Sequence, residues 1–282
     1  MNGYAYYDGE FGAKESIRIP LCDRSVFFGD SVYDAMIGEG GVIYQAEEHI
    51  ARLLGNCERL GFYEIPTSNK ISELLHEVVR RSGLPTYFVY IQISRRKPRR
   101  SHPAVGISDS GILITVDDFS IPSPTKTLKT IICDDKRYEY CNIKTTNLMP
   151  NVFASEKATR AGATEALLHR GDRVTEGAHS SILMVKNGEV VMPPLDELIL
   201  PGITRRVLHD VCDKNGIPVS VRVITVDELM AADEIILCST TKNILYVYEI
   251  DGKAVGGKDR ALAERLQELF LDEVYKDTGV RL

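Results

Sequence analysis

A segment rich in proline and serine, DDFSIPSPTK at residues 117–126, divides this sequence into two parts. Prolines remove backbone donors and serines compete for backbone hydrogen bonds, so such a segment is typical of a linker. The 282 residues are enough for two ordinary domains. We therefore predict a smaller N-terminal α/β domain over residues 1–118, a linker over 119–126 and a larger C-terminal domain over 127–282.

Composition disfavours several classes of function. The formal net charge of -6 argues against a nucleic-acid surface, although RRKPRR at residues 95–100 is a local basic cluster. The six cysteines are far apart and form no CxxC pair, so we expect reduced core residues and neither disulfides nor a metal site. No apolar run approaches the roughly 18 residues that span a bilayer, and the N-terminus lacks the apolar region of a signal peptide. We expect a cytoplasmic protein with no nucleic-acid or membrane partner.

Periodic patterns predict a mixed α/β fold. Apolar residues at three- and four-residue spacing predict amphipathic helices over residues 45–60 and 71–81. The β-branched and aromatic residues of TYFVYIQISR, at 86–95, predict a strand. The turn pairs Asp8-Gly9 and Asn187-Gly188, each between apolar runs, predict β-hairpins. No internal repeat appears, so each part is expected to fold around its own strands and helices.

Lys144 lies in CNIKTTN, where an apolar run ends and a helix-like segment begins. Surface lysines usually belong to charged helix faces, whereas this one is flanked by Ile143 and Thr145. It is either an ordinary solvated side chain or a functional amine. A functional amine would serve as a point charge for a phosphate or would condense with a carbonyl as a Schiff base. The local sequence leaves these interpretations open.

Two segments offer hydrogen-bond donors to an anion. Ile203 and Thr204 open a predicted helix, so their free amides and the helix dipole favour negative charge. Ser239 and Thr240 follow a predicted strand and add hydroxyl groups. Each segment is equally compatible with an ordinary capped helix or polar turn. Because the Walker and GxGxxG glycine patterns are absent, a phosphorylated cofactor other than a dinucleotide fits better than a nucleotide.

Three further side chains have both a structural and a functional interpretation. Tyr33 is either a half-buried strand aromatic or a hydroxyl donor in a pocket. Arg52 lies beside the apolar stripe of a predicted helix, either exposed to solvent or directed at an anion. Glu176, in VTEG, is either a turn glutamate or a carboxylate that keeps a pyridine nitrogen protonated.

Five motifs taken together resemble the fold-type IV pyridoxal-phosphate (PLP) enzymes: EEHIARL, CNIKTTN, RVTEG, ILPGITR and CSTT. That family includes D-amino-acid aminotransferases, branched-chain aminotransferases and aminodeoxychorismate lyases. The resemblance runs from the first predicted hairpin to Ile250. It implies PLP as cofactor and the two-domain α/β architecture of the D-amino-acid aminotransferases, with the larger domain binding the cofactor.

The resemblance also implies a role for each candidate residue. Lys144 would bind PLP covalently and move a proton between the substrate Cα and C4′ of the cofactor, and its amine must be deprotonated to react. Glu176 would pair with the pyridine nitrogen. The remaining cofactor-binding positions would be Arg52, Ile203, Thr204, Ser239 and Thr240 at the phosphate and Leu200 against the ring.

Tyr33 and the Arg100-Ser101-His102 segment look most like the D-amino-acid aminotransferases, in which a tyrosine and an Arg-x-His pair bind the substrate α-carboxylate. In those enzymes the Arg-x-His loop comes from the neighbouring subunit, so a homodimer is implied. The implied reaction moves an amino group between a small D-amino acid such as D-alanine and a 2-oxo acid. The alternatives are a branched-chain L-amino-acid aminotransferase, a 4-amino-4-deoxychorismate lyase and a catalytically silent ligand-binding protein.

Several positions depart from the family pattern. Ser31 replaces a glycine, Asp34 stands where glutamate is usual, and Ser181 stands where asparagine is frequent. Met149-Pro150 and Leu245-Tyr246 are also unusual. The side-chain preference for the substrate therefore stays open.

Overall fold

The computed structural model describes residues 3–97, 99–107, 109–120, 122 and 127–279. The chain divides into two compact units, one of Met1–Ser120 with Ile143–Asn147 and the other of Ile121–Asn142 with Leu148–Leu282. Of the predicted linker, residues 121 and 123–126 lie outside the described residues. The domain boundaries drawn from the sequence stay a prediction.

The first unit is built on an antiparallel sheet with helices on it. Its elements are β1 Tyr4–Tyr7, β2 Glu10–Ala13, α1 Ser25–Phe28, β3 Ser31–Glu39, β4 Val42–Ile43, α2 Ala46–Arg59, α3 Ser68–Ser82, β5 Thr86–Arg95 and β6 Ser110–Asp118. The six strands pair in the order β2-β1-β6-β5-β3-β4. Every pairing along this order is antiparallel.

The helices α2 and α3 form where the apolar periodicity predicts them. Helix α2 buries Ile50, Leu53 and Cys57 on one stripe and packs against β3. Helix α3 begins after Thr67, whose side chain accepts a hydrogen bond from the Lys70 amide, and ends at a left-handed Gly83. Their apolar stripes cover one face of the sheet and form the core of this unit.

The second unit contains a mixed sheet. Its elements are β7 Thr127–Asp134, α4 Met149–Arg160, β8 Glu165–Arg170, β9 Arg173–Gly177, β10 Ser181–Lys186, β11 Glu189–Met192, α5 Ile203–Lys214, β12 Val219–Val221, α6 Val226–Met230, β13 Glu234–Ser239, β14 Asn243–Ile250, β15 Lys253–Ala254 and α7 Arg260–Thr278. The strand order is β12-β11-β10-β13-β14-β7-β8-β9, with β15 beside β14. Strand β7 runs parallel to both its neighbours, β14 and β8, whereas β10, β13 and β14 pair antiparallel. The mixed α/β prediction is confirmed.

The predicted hairpins are confirmed by their turn conformations. Asp8 and Gly9, between β1 and β2, have φ of 44° and 98°. Asn187 and Gly188, between β10 and β11, have φ of 51° and 76°. Two consecutive residues with positive φ are the signature of a type I′ turn, whose twist matches that of the paired strands.

Among the described residues, no helix is both long and apolar enough to cross a bilayer. Across the same residues, the histidine, cysteine and acidic side chains form no group of three or more suited to a metal ion.

Candidate active site

Lys144 lies in a short segment that runs beside the start of β3. Its carbonyl accepts a hydrogen bond of 2.9 Å from the Tyr33 amide. Two residues further on, the Thr146 amide donates to the Ser31 carbonyl at 3.3 Å, and the Thr146 and Ser31 hydroxyls share a hydrogen bond of 2.6 Å. Asn147 donates from its side chain to the Gly29 carbonyl at 3.0 Å. The backbone at Lys144 and just after it is therefore held by the start of β3 and by Gly29.

The Lys144 amine lies over an aromatic ring. Its Nζ atom is 4.5 Å from the centroid of the Tyr33 ring, which suits a cation–π contact. Tyr33 in turn stacks on Tyr90, with ring centroids 5.3 Å apart and planes at 25°. Burial, with a smaller contribution from Tyr33, raises the pKa of the Tyr90 hydroxyl, so Tyr90 stays neutral. Two residues named from the sequence, Lys144 and Tyr33, are thus neighbours.

Arg52 is held by a buried carboxylate on the next residue of β3, Asp34. The Arg52 Nε and Nη2 atoms donate to the two Asp34 oxygens at 2.8 and 2.7 Å. His49 Nδ1, one helical turn before Arg52 on α2, hydrogen-bonds Asp34 Oδ1 at 2.7 Å. Burial alone raises the pKa of Asp34, but the Arg52 charge and the His49 hydrogen bond outweigh it and hold that pKa well below its usual range. Asp34 stays ionised and fixes the arginine fork in one orientation.

Arg100 and His102 meet on the ring of Phe28. The Arg100 guanidinium carbon is 4.8 Å from the Phe28 centroid, and the His102 ring centroid is 5.2 Å from it. Phe28 ends α1 and is half-buried. The two predicted carboxylate-binding side chains therefore share one aromatic support within the first unit.

In the second unit, Glu176 lies near the end of β9 with two partners for its carboxylate. Arg137 Nη1 donates to Oε1, and the Leu200 amide donates to Oε2 at 3.2 Å. The side chains of Glu176 and Arg137 are both 7% exposed. Glu176 and Leu200, both named from the sequence, are thus brought together, whereas Arg137 was not predicted.

Arg137 belongs to a buried chain of charges. Its Nε and Nη2 atoms donate to the two oxygens of Asp135 at 2.9 and 2.8 Å, and the Thr175 hydroxyl donates to Asp135 at 3.0 Å. Burial by itself lowers the pKa of Arg137, but Asp135 and Glu176 raise it by more, so the guanidinium stays charged. A permanent cation beside Glu176 favours the ionised carboxylate.

The N-terminus of α5 is the first predicted anion-binding segment. Ile203 and Thr204 are both buried there, and the N-cap residue, Gly202, has no side chain that could cap the helix. A Cβ atom at Gly202 would lie 2.6 Å from the Ser181 hydroxyl, so a larger residue there would force that side chain to move. Ser181 is the first residue of β10, and this contact places the helix N-terminus at the start of that strand.

The second predicted anion-binding segment follows β13. Ser181 on β10 pairs with Cys238 on β13, so Ser239 lies at the same end of the sheet as the N-terminus of α5. The Lys242 amide donates to the Ser239 carbonyl at 3.1 Å and closes a tight turn that contains Thr240. The two segments predicted to bind a phosphate therefore converge within the second unit.

The chemistry of these donors fits PLP. Backbone amides at a helix N-terminus and hydroxyls on a neighbouring turn suit a phosphate dianion. A buried carboxylate paired with the Arg137 cation suits a protonated ring nitrogen. The fixed amine of Lys144 suits an aldehyde.

Residues 31–250 match the sequence profile of the family described as Amino-transferase class IV. The chain belongs to this family. It is also 32% identical to the D-alanine aminotransferase of Bacillus licheniformis, over 97% of this chain and 98% of that one. The predicted family, the reaction type of a PLP-dependent aminotransferase and the cofactor are thereby confirmed.

Solved structures share the fold of this class IV aminotransferase. A branched-chain aminotransferase from Thermoproteus uzoniensis, crystallised with norvaline, superposes with a TM-score of 0.87 at 23% identity and covers 98% of this chain and 97% of its own. A putative 4-amino-4-deoxychorismate lyase from Legionella pneumophila gives a TM-score of 0.84 at 20% identity, covering 92% and 97%. The predicted fold class is confirmed, and the roles of single residues stay predictions.

Proposed function

We propose that this class IV aminotransferase moves an amino group between a small D-amino acid, foremost D-alanine, and a 2-oxo acid. The observation that carries the proposal is the 32% identity to a D-alanine aminotransferase over 97% of the chain. The branched-chain aminotransferase and the lyase resemble the chain at 23% and 20% identity, which supports a common fold alone. Amino acids and 2-oxo acids are the substrates of aminotransferases in general.

Lys144 is the residue that we propose binds PLP and moves the proton. When bound, PLP supplies an electron sink for negative charge that develops at the substrate Cα. The Lys144 amine would take the proton from the substrate Cα and hold it for return, and PLP would supply the carbon that receives it. Backbone pairing with β3 and the contact of Nζ with the Tyr33 ring support this role, because they hold the lysine backbone and favour one position of its amine.

Glu176 is proposed to face the pyridine nitrogen. Arg137 and the Leu200 amide each occupy one of its oxygens. A carboxylate offers about four lone-pair sites, which is more than these two hydrogen bonds use. The Arg137 charge favours an ionised Glu176, and an ionised Glu176 favours a protonated ring nitrogen. We also propose that Leu200 packs against the ring.

The phosphate is proposed to bind Arg52, the amides of Ile203 and Thr204, and the hydroxyls of Ser239 and Thr240. Four of these residues lie at one end of the sheet in the second unit, which supports their assignment to the phosphate: Ile203, Thr204, Ser239 and Thr240. The assignment of Arg52 to the phosphate is supported by Asp34, which accepts two hydrogen bonds from the guanidinium and so holds it in one orientation. A rigid donor loses little entropy when it binds an anion.

The substrate α-carboxylate is proposed to bind Tyr33, Arg100 and His102. We also propose a homodimer, as the resemblance to D-amino-acid aminotransferases implies. In it, the Arg100–His102 loop of one subunit completes the active site of the other. We further propose a cytoplasmic location, which the six free cysteines of the structure support.

A substrate panel tests the proposed reaction. Purified protein is loaded with PLP and mixed with D-alanine, L-leucine or 4-amino-4-deoxychorismate, with and without 2-oxo acids. We expect turnover of D-alanine that depends on a 2-oxo acid. Turnover of L-leucine alone would replace the proposal by a branched-chain activity, and pyruvate release from aminodeoxychorismate without an acceptor would replace it by a lyase. A protein that acquires no near-visible absorbance with PLP would be a silent binding protein.

A further inference from the structure

A buried arginine outside the predicted site, Arg24, holds the backbone of the loop that carries Arg100 and His102. Its Nη1 atom donates to the Ser101 carbonyl at 2.5 Å, and its Nη2 atom donates to the His102 carbonyl at 3.0 Å. These contacts join residues 77 and 78 positions apart in the sequence. Arg24 is only 5% exposed, so this attachment comes from inside the first unit.

The third nitrogen of the Arg24 guanidinium is anchored by a buried ion pair. Nε donates to Asp30 Oδ2 at 2.6 Å. Asp30 is held from its other side by Arg95, whose Nη2 lies 2.5 Å from Oδ1. The three side chains are 6%, 10% and 13% exposed, so little water competes with these contacts. Each guanidinium nitrogen of Arg24 thus has its own acceptor, in a planar fork that a lysine cannot reproduce.

Arg24 and the loop side chains share the ring of Phe28. The Arg24 guanidinium carbon is 4.7 Å from the Phe28 centroid, and that of Arg100 is 4.8 Å away. The His102 ring centroid is 5.2 Å from the same point. Arg24 precedes Phe28 by one helical turn at α1, so one short segment contacts both the backbone and the side chains of the loop.

The loop has little other backbone support. Within residues 99–107, the other hydrogen bonds to backbone are local: the Ile107 amide donates to the Ala104 carbonyl at 3.4 Å, and the Ser101 hydroxyl donates to the Pro103 carbonyl at 3.3 Å. The Ser101 hydroxyl also accepts from the Lys97 amine at 3.2 Å. Among the described residues, the two Arg24 contacts are therefore the long-range hydrogen bonds to the backbone of 99–107.

We propose that Arg24 is a positioning residue for recognition of the substrate α-carboxylate. By fixing the Ser101 and His102 carbonyls, it presents the Arg100 and His102 side chains in one orientation before the substrate arrives. This inference rests on the proposed function, because it requires Arg100 and His102 to bind the carboxylate. Preorganisation lowers the cost of ordering the loop on binding, so its loss weakens binding of any carboxylate ligand.

Two substitutions of Arg24 test the proposal, with one matched control. Arg24→Lys keeps a positive charge beside Asp30 but cannot donate to both carbonyls, and Arg24→Ala removes all three contacts. Arg18→Lys is the control, because exposed Arg18 also donates to two carbonyls, those of Glu15 and Ile17, within its own segment. Three quantities are measured: KM and kcat for D-alanine, the Kd of propanoate by calorimetry, and hydrogen exchange of the amides at 99–107.

For Arg24→Lys we expect KM for D-alanine and Kd for propanoate to rise together, by about tenfold, with kcat at saturation changed less than about twofold. Amides at 99–107 should exchange faster while the rest of the first unit exchanges as before. The absorbance of bound PLP should be unchanged. Arg18→Lys should match the unsubstituted protein in every measurement.

The outcomes separate this inference from the proposed function. If Arg100→Ala weakens propanoate binding while both Arg24 variants bind it normally, the positioning role is wrong and the carboxylate site stands. If Arg100→Ala and His102→Ala also bind propanoate normally, the carboxylate assignment itself is wrong. Faster exchange across the whole first unit in both Arg24 variants, with propanoate affinity unchanged, would show a purely structural role and overturn the proposal.

Discussion

The Nζ atom of Lys144 lies 4.5 Å from the centre of the Tyr33 ring, and the two residues are also joined by a backbone hydrogen bond of 2.9 Å. The strand that carries one of them thus fixes the other. A lysine on a free loop would lose conformational entropy each time it reacted, whereas this amine is held in advance. The same strand, β3, carries Asp34, so it positions both the amine and the arginine of α2.

Replacing the lysine should remove both colour and activity. We expect Lys144→Ala to abolish the near-visible absorbance after incubation with PLP and to lower transamination at least about a hundredfold, because we propose that its amine binds the cofactor and moves the proton. Lys157→Ala, at an exposed position on α4, serves as the control and should change neither quantity. A Lys144→Ala protein that stays yellow and active would require another lysine.

Removing the Tyr33 hydroxyl should separate substrate binding from cofactor binding. Tyr33→Phe keeps the ring that contacts Lys144 and Tyr90, and it loses the proposed donor to the α-carboxylate. We expect KM for D-alanine to rise about tenfold with the cofactor absorbance unchanged. Tyr90→Phe removes a hydroxyl from the stacked partner and should leave KM unaltered. Equal effects of both substitutions would assign Tyr33 to packing alone.

Arg137 should be needed for both stability and catalysis. Arg137→Met removes the cation that is hydrogen-bonded to both buried carboxylates, Asp135 and Glu176, which we expect to lower the free energy of unfolding by about 3 kcal/mol. Adding Asp135→Asn should recover part of that stability and none of the lost turnover, because Glu176 still lacks its cation. Denaturant unfolding and steady-state kinetics measure the two effects. Turnover that returns together with stability would show that Arg137 acts only on the fold.

The pKa of Asp34 should appear in the acid stability of the protein. Since this pKa lies below its usual value in the folded state, the ionised carboxylate stabilises the fold above about pH 4, and the contribution is lost as the pH falls further. We expect Asp34→Asn to be less stable than the original protein by about 3 kcal/mol at pH 7. The gap should narrow below about pH 4, because the unfolded chain then binds a proton at Asp34 while the folded carboxyl, with its lowered pKa, does not. Urea unfolding of both proteins between pH 3 and pH 7 measures the gap, and a constant gap would contradict the prediction.

Mixed dimers should show which subunit supplies the Arg100–His102 loop. When Lys144→Ala and Arg100→Ala proteins are unfolded together and refolded, half of the dimers contain one site free of both changes, so about a quarter of the original activity should return. A mixture of Lys144→Ala with Glu176→Ala should regain none, because these residues are proposed to act from the same subunit. No recovery in the first mixture would mean that the loop serves its own chain.

Much of the fold could be predicted from short stretches of sequence. Type I′ turns depend on two adjacent residues, so Asp8-Gly9 and Asn187-Gly188 could be recognised without tertiary information. The buried apolar stripe of α2 could also be predicted from the sequence, because the spacing of apolar residues indicates which helix face is buried. The family motifs added the cofactor, since their residue types match the needs of PLP.

Contacts between distant residues could not be predicted in this way. Arg137 reaches Glu176 across 39 positions, and Arg24 reaches Ser101 across 77. Nothing in RYEY or DRS distinguishes these arginines from solvated ones, because their importance arises only when burial removes the competing water. The role of His49 beside Arg52 could have been predicted from the sequence. His49 precedes Arg52 by three positions on a helix, so both side chains lie on the same face.

The grouping of Ile143–Asn147 with the first unit has a consequence for biosynthesis. The Gly29 and Ser31 carbonyls receive hydrogen bonds from residues 146 and 147, which leave the ribosome long after the rest of their unit. Nascent chains that end at residue 120 contain the whole of this unit's sheet and lack the segment beside its third strand. Translation must therefore pass into the second unit before the first can finish folding, and Lys144 is among the last residues of that unit to be synthesised.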